Sequence, residues 1–150
     1  MADWHEDTIA AISTAPAPSG IGIVRMSGPD AFEVADRIFR RSRKCAADPS
    51  YQEKYLSAQK ANTVHYGYIC DGSDIIDEVL AVLFRAPHSY TGEDTVEFDC
   101  HGGMLTTRKI LELAVHRGAR LAEPGEFSRR AFLNGRMDLS QAEAVMDVIS

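Results

Sequence analysis

The stretch YTGEDTVEFDCHGGML, residues 90–105, sets carboxylates, a thiol, an imidazole and paired glycines between two apolar patterns. Side chains alternate along an extended strand, so Thr95, Glu97 and Asp99 share one face and Val96, Phe98 and Cys100 the other. The second set belongs against a core. Glu97 is then either a solvated face residue or a carboxylate free to accept hydrogen bonds from a ligand's N–H groups. Arg25 stands in GIGIVRMSG, an otherwise apolar run, where a guanidinium must find an acidic partner or emerge at the strand end. HGGM, 101–104, opens a helical pattern. Its glycines permit positive φ and read first as a tight turn; the alternative is close approach to an acceptor-rich or anionic small molecule at the free amides of a helix start.

Other chemistries find less support. There is no GxSxG elbow, and Cys100 and His101, adjacent on a strand, point to opposite faces, so Cys100 reads as a buried structural thiol. His65, His88 and His101 have no ligating partner at i+3 or i+4 and HExxH is absent, so no metal site and no catalytic residue are assigned. GxxxxGK[ST] does not occur, and the GxG of SGIGIV precedes a strand instead of joining strand to helix, which excludes a P-loop within this sequence. Cys45, Cys70 and Cys100 are odd in number and widely spaced, which predicts neither a disulfide framework nor a zinc site and fits a reducing cytoplasm.

The elements that must position these residues follow from periodicity and punctuation. TIAAIST and IGIVRMSG read as strands, the second covered on both faces. SGPDAFEVADRIFRRSRK carries a helix start at Ser27 or Gly28 before Pro29, with Phe32, Ala35, Ile38 and Phe39 on one face. Its basic end, Arg37, Arg40, Arg41, Arg43 and Lys44, is read as cations at the carbonyl end of a helix in preference to a nucleic-acid patch. Residues 45–61 are weakly patterned and read as a dispensable connection with a short helix. TVHYGYIC, the turn DGSD and EVLAVLFRAP form a hairpin; TVEFDC is a further strand. GGMLTTRKILELAVHRGAR is helical, with Leu105, Ile110, Leu113 and Ala114 on one face and Gly118 ending it. ARLAEPGEF gives a short strand and turn, and EFSRRAFLNG a short helix to Gly135. DLSQAEAVMDVIS opens with capping-box spacing and carries an apolar stripe, Ala142, Val145, Met146 and Ile149, that reads as the start of something larger. These patterns predict an α+β fold, a mixed β-sheet with helices mainly on one side.

A chain of 150 residues, 45% apolar and 25% charged, is long enough to bury a core without staples. Its net charge of −6 argues against a surface built mainly for phosphates. No stretch approaches the roughly 20 apolar residues of a membrane span and no basic–apolar leader opens the chain, so neither export nor membrane insertion is expected.

Taken in order, DTIAAIST, GIGIVRMSG, SYTGEDTVEF, HGG and above all EPGEFSRRAFLNGRMDLSQAEAV resemble the amino-terminal portion of the tRNA-modification GTPase family MnmE, or TrmE, over nearly the whole chain. The resemblance implies a first domain, 1–122, similar to the folate-binding domain of the glycine-cleavage aminomethyltransferase, which binds 5-formyltetrahydrofolate or another tetrahydrofolate and forms a homodimer. It implies that 123–150 begin a helical domain. Arg25, Glu97 and Arg136 match the family's folate-contact positions. The family commonly has lysine where Arg136 stands, which keeps charge but changes hydrogen-bond geometry, and APAPSG replaces a glycine-richer loop. The implied full-length activity is modification of the wobble uridine of tRNA with the flavoprotein MnmG, using GTP, potassium and magnesium in a G domain that this sequence lacks. A stand-alone folate-dependent aminomethyl- or methyltransferase, or a pure dimerisation domain, are the other readings.

Overall fold

Alternation along the strands gives this protein a sheet with two unlike faces. The computed structural model describes residues 7–13, 20–45 and 53–136. Among these the strands are β1 (Ile9–Ile12), β2 (Gly22–Ser27), β3 (Phe39–Arg40), β4 (Val64–Asp71), β5 (Asp74–Phe84), β6 (Thr95–Cys100) and β7 (Arg120–Leu121). The helices are α1 (Ala31–Ile38), α2 (Met104–His116) and α3 (Glu126–Leu133). The sheet runs β3-β4-β5-β6-β2-β1-β7, antiparallel throughout except for the parallel β1–β7 pair. It is the expected mixed sheet of an α+β fold.

One face carries Val24 and Met26 of β2, Val96, Phe98 and Cys100 of β6, and Val79, Ala81 and Leu83 of β5, all buried. They form one core with Val34, Ala35 and Ile38 of α1 and Ile110, Leu113 and Ala114 of α2. α3 sits over the opposite face. The Phe127 ring lies 5.6 Å from the guanidinium carbon of Arg25, which alternates with Val24 and Met26 and so points away from the main core. Ile9 and Ala131 are fully buried apart from that core.

Several expectations are corrected by long-range pairing. The first helix stops at Ile38 because Phe39 and Arg40 pair with Ile69 and Tyr68 as the edge strand β3. Arg40 is buried and donates to the carbonyls of Asp36 and Phe39 at 3.1 and 2.8 Å, so it serves the carbonyl end of α1, whereas Arg37 donates to the Arg117 carbonyl, Arg41 lies over Tyr55 and Arg43 pairs with Glu78. Leu105 is 73% exposed and not on the packed face of α2. The hairpin forms, with a bulge at Ile69/Cys70, but β5 begins earlier and ends before Arg85. The connection after Cys45 is not dispensable. Leu56, in a single 3-10 turn, is fully buried, and its amide and the Ser57 hydroxyl both donate to the Asp36 carboxylate at 2.7 Å. Cys45 and Cys70 form a disulfide with 5.8 Å between Cα atoms, against the expectation of none: β4 brings Cys70 beside a residue 25 positions away in sequence. The APAPSG loop, apart from Gly20, and the final helical stripe lie outside the described residues.

A buried ionic network fastens α3. Arg130, 0% exposed, donates to the Asp7 carbonyl and carboxylate, to both oxygens of Glu93 at 3.2 Å, and to Glu126 at 3.3 Å. Arg120 of β7 adds bonds to Asp7 and Glu126. The hydrogen bond from Arg120 lowers the Asp7 carboxyl against burial, with help from Arg130. Burial pushes Glu126 up, but the bond from Arg120, the Glu123 amide and the two guanidinium charges outweigh it and hold the group below its usual range. Both carboxyls therefore bind protons more readily in the unfolded chain. Their contribution to stability is complete above the ordinary values, 3.8 for Asp7 and 4.5 for Glu126, and is lost as pH falls through the lower folded values. Thermal melts from pH 7 to 3 are expected to show the midpoint dropping steeply at the acid end, and less steeply in Asp7→Asn. Arg130→Leu, which strands buried carboxylates, is expected to cost about 3–5 kcal/mol in urea titrations at neutral pH.

Candidate functional site

The β2–β6 register sets Arg25 directly opposite Glu97, and β1 sets Ala11 opposite Arg25. Cross-strand neighbours on one face are close enough for side chains to meet. Arg25 Nε donates to Glu97 Oε1 at 2.9 Å, and both side chains are largely buried. The same guanidinium lies 5.6 Å from the ring centres of Tyr90 and Phe127. Ion pairing and the negative ring faces together meet the cost of taking this cation off the solvent.

Beside it opens a cavity of about 480 Å³, bounded by Ser13 after β1, Arg25, Tyr90, Pro124, Phe127 and Ser128. Its volume is in the range of small-molecule sites, and its walls have their usual character, aromatic surface with a few fixed polar groups. Those walls are held rigidly. The Tyr90 and Ser128 hydroxyls share a hydrogen bond of 2.9 Å, Asn134 Nδ2 donates to the Thr91 carbonyl at 2.8 Å, and Arg136 Nε donates to the Ser89 carbonyl at 3.0 Å. From beneath, Glu93 accepts bonds from Ser27 and Arg130. The loop bearing Tyr90 and the helix bearing Phe127 are thus tied to each other and to the sheet.

Of the three residues matched in sequence, Arg25 lines the cavity, whereas Glu97 stands behind it as its ion-pair partner and Arg136 is spent on the loop carbonyl one residue before Tyr90. Glu97 Oε2 has no hydrogen-bond partner among the described residues. Asp99, next on that face, titrates above the usual carboxylate range because it is buried and because Glu97 is beside it, with His101 opposing. Sequence reasoning missed Tyr90 and Phe127. Both occur in stretches already quoted for resemblance, but nothing local says that both rings approach Arg25.

The HGG junction is a turn satisfied by its own chain. The amides of His101 and Gly102 both donate to Asp77 Oδ2 of β5, at 2.7 and 3.0 Å. This is the tight turn expected of the paired glycines, with Asp77 as the acceptor for both amides. Gly103 has φ 90° and ψ −178°, a region open essentially to glycine alone. Cys100 is fully buried and its thiol is pushed up to about 12 by burial and the charges of Asp77 and Asp99, so it is no nucleophile. Among the described residues no group of three or more His, Cys, Asp or Glu is arranged to hold a metal ion, and no helix is long and apolar enough to cross a membrane. A Cβ at Gly103 would have nothing within 4 Å, so Gly103→Ala is expected to cost about 1–3 kcal/mol through backbone strain alone, measured by urea unfolding, with the Arg25 cavity unaffected.

Comparison with known proteins follows the same residues. The family described as GTP-binding protein TrmE N-terminus matches residues 8–136. A tRNA modification GTPase MnmE of Lachnoclostridium phytofermentans is 57% identical over 143 residues, covering 95% of this chain and 30% of that protein. One of Symbiobacterium thermophilum is 58% identical over 145 residues, covering 96% and 30% respectively. One of Listeria welshimeri is 51% identical over 143 residues, covering 95% and 29%. The chain thus spans about 30% of the length of these relatives. On these matches it belongs to the TrmE N-terminus family, the amino-terminal region of the tRNA modification GTPases MnmE.

Proposed function

We propose that this chain is a folate-binding, homodimerising module, cytoplasmic, serving a tRNA modification GTPase. The observation that carries the reading is the cavity whose wall is Arg25, stacked by Tyr90 and Phe127 and paired with Glu97. The chemistry of a tetrahydrofolate suits it. The flat rings of the pterin and aminobenzoyl groups match aromatic walls, a guanidinium matches the carboxylates of the glutamate tail, and a carboxylate can accept from the paired ring N–H and amino group of a pterin. Glu97 has one oxygen left for that role, and Arg136, held through Nε at the carbonyl of Ser89 next to Tyr90, carries a guanidinium with further N–H donors.

Within a full-length protein the module would present a one-carbon unit to the wobble uridine of tRNA, together with the flavoprotein MnmG. GTP, potassium and magnesium would act in a separate G domain. Residues 1–122 would form the folate and dimerisation unit and 123–150 the approach to a helical domain, though its first residues also wall the cavity.

Isothermal calorimetry with 5-formyltetrahydrofolate is expected to give saturable heat at sub-millimolar ligand. Glu97→Ala should weaken binding by about 1.5–3 kcal/mol, roughly tenfold or more. Sedimentation should report a dimer. A dimer that gives no heat with the folate would leave only a dimerisation domain and overturn the binding reading.

A further inference from the structure

We propose that Cys45 and Cys70 form a reversible thiol-exchange site, with Cys45 the exchanging sulfur, Cys70 the resolving one, and disulfides of small thiols such as glutathione the reacting partners. This is independent of the folate reading. The two cysteines are joined in the structure, and their settings are unequal. Cys70 is 3% exposed at the bulge of β4, whereas Cys45 is half-buried. Cys45 is therefore the more reachable sulfur, with a second cysteine already in bonding position, as in thiols that respond to redox state. Cys100 is buried in the main core with its thiol pushed up to about 12 and cannot compete.

The exchange balances as follows. The Cys45 thiolate attacks one sulfur of the small disulfide, forming a mixed disulfide and releasing one small thiol. The Cys70 thiolate then attacks the Cys45 sulfur, closing the protein disulfide and releasing the second. Two electrons pass from the cysteine pair to the small disulfide, and the two cysteine protons end on the two released thiols. Excess thiol runs the steps backwards.

The bond also has something to hold. β3 pairs with β4 through only Phe39–Ile69 and Arg40–Tyr68. Beyond it the chain is fastened to the β4–β5 hairpin by Arg43, 5.5 Å from the Tyr68 ring and 3.3 Å from the Glu78 carboxylate, and then by the disulfide. Opening the bond leaves that edge of the sheet to a two-residue strand anchored by Phe39 and to Arg41 and Arg43 on Tyr55, Tyr68 and the exposed Glu78. In a compartment buffered by glutathione, disulfides are characteristically transient and redox-sensing, which is the behaviour assigned here.

The 150-residue chain, equilibrated across glutathione buffers from oxidising to reducing, acid-quenched, unfolded and alkylated, is read by intact mass. One alkylated cysteine is expected at the oxidising end and three at the reducing end, with the transition inside the buffer range. In Cys70→Ser, oxidised glutathione should add to Cys45 roughly tenfold or more faster than it adds to Cys70 in Cys45→Ser. The reduced protein should melt roughly 5–10 °C lower than the oxidised one, and a Cys45→Ser/Cys70→Ser double variant should show no such dependence. One adduct at every ratio means a locked structural bond, three at every ratio means no bond in solution, and equal adduct rates remove the assigned roles. Each of these overturns the proposal.

Discussion

A guanidinium with no solvent contact governs how this domain is put together. Arg130 can be buried only because Asp7, Glu93 and Glu126 surround it, and those carboxylates come from the segment before β1, the loop before β6 and α3 itself. An ion taken out of water loses several kcal/mol of hydration, which is regained only when its partners are all in place. The network therefore works as a geometric condition more than as a store of stability. α3 and the 89–94 loop have one arrangement in which every charge is matched, and that arrangement holds Phe127 and Tyr90 on either side of the cavity mouth.

The sheet divides labour between its faces. The face under α1 and α2 is apolar and closed, and it supplies the packing that keeps strands β2 and β6 in register. The other face inherits that register and uses it to oppose Arg25 and Glu97. Rigidity on one side is what makes polar precision on the other possible: a slip of one residue would turn Arg25 and Glu97 into the apolar core and expose Val24 and Phe98. The edge at β3 is the contrasting case. Short pairing there is reinforced by a covalent bond and by cations stacked on tyrosines, with Arg41 4.4 Å from the Tyr55 ring.

Much of this was legible because local rules and tertiary context agree. The alternation in TVEFDC correctly separates Glu97 from the buried Val96 and Phe98, and the glycine at 103 correctly marks a strand-to-helix turn. Where they disagree, the reason is specific. Leu105 fits the helical stripe by spacing, but the core beneath α2 takes Thr107, Ile110, Leu113 and Ala114 and leaves the first turn outside. Phe39 fits the stripe of α1 yet belongs to a strand, since β4 offers its backbone hydrogen-bond partners that another helical turn would forgo. Arg136 was matched by motif and is near the site, but its hydrogen-bond partner is a loop carbonyl.

The amino-acid sequence by itself determined the strand faces, the helix and turn positions near glycines, the family and the need of Arg25 for a partner or a strand-end exit, because each depends on residues within a few positions of one another or on an ordered motif. Tertiary structure alone decided that Arg25 answers Glu97, that Asp77 fills the HGG turn, that Tyr90 and Phe127 wall one cavity, and that Cys45 finds Cys70. Those are contacts between distant segments. Their distances are set by sheet order and packing, which no local pattern encodes.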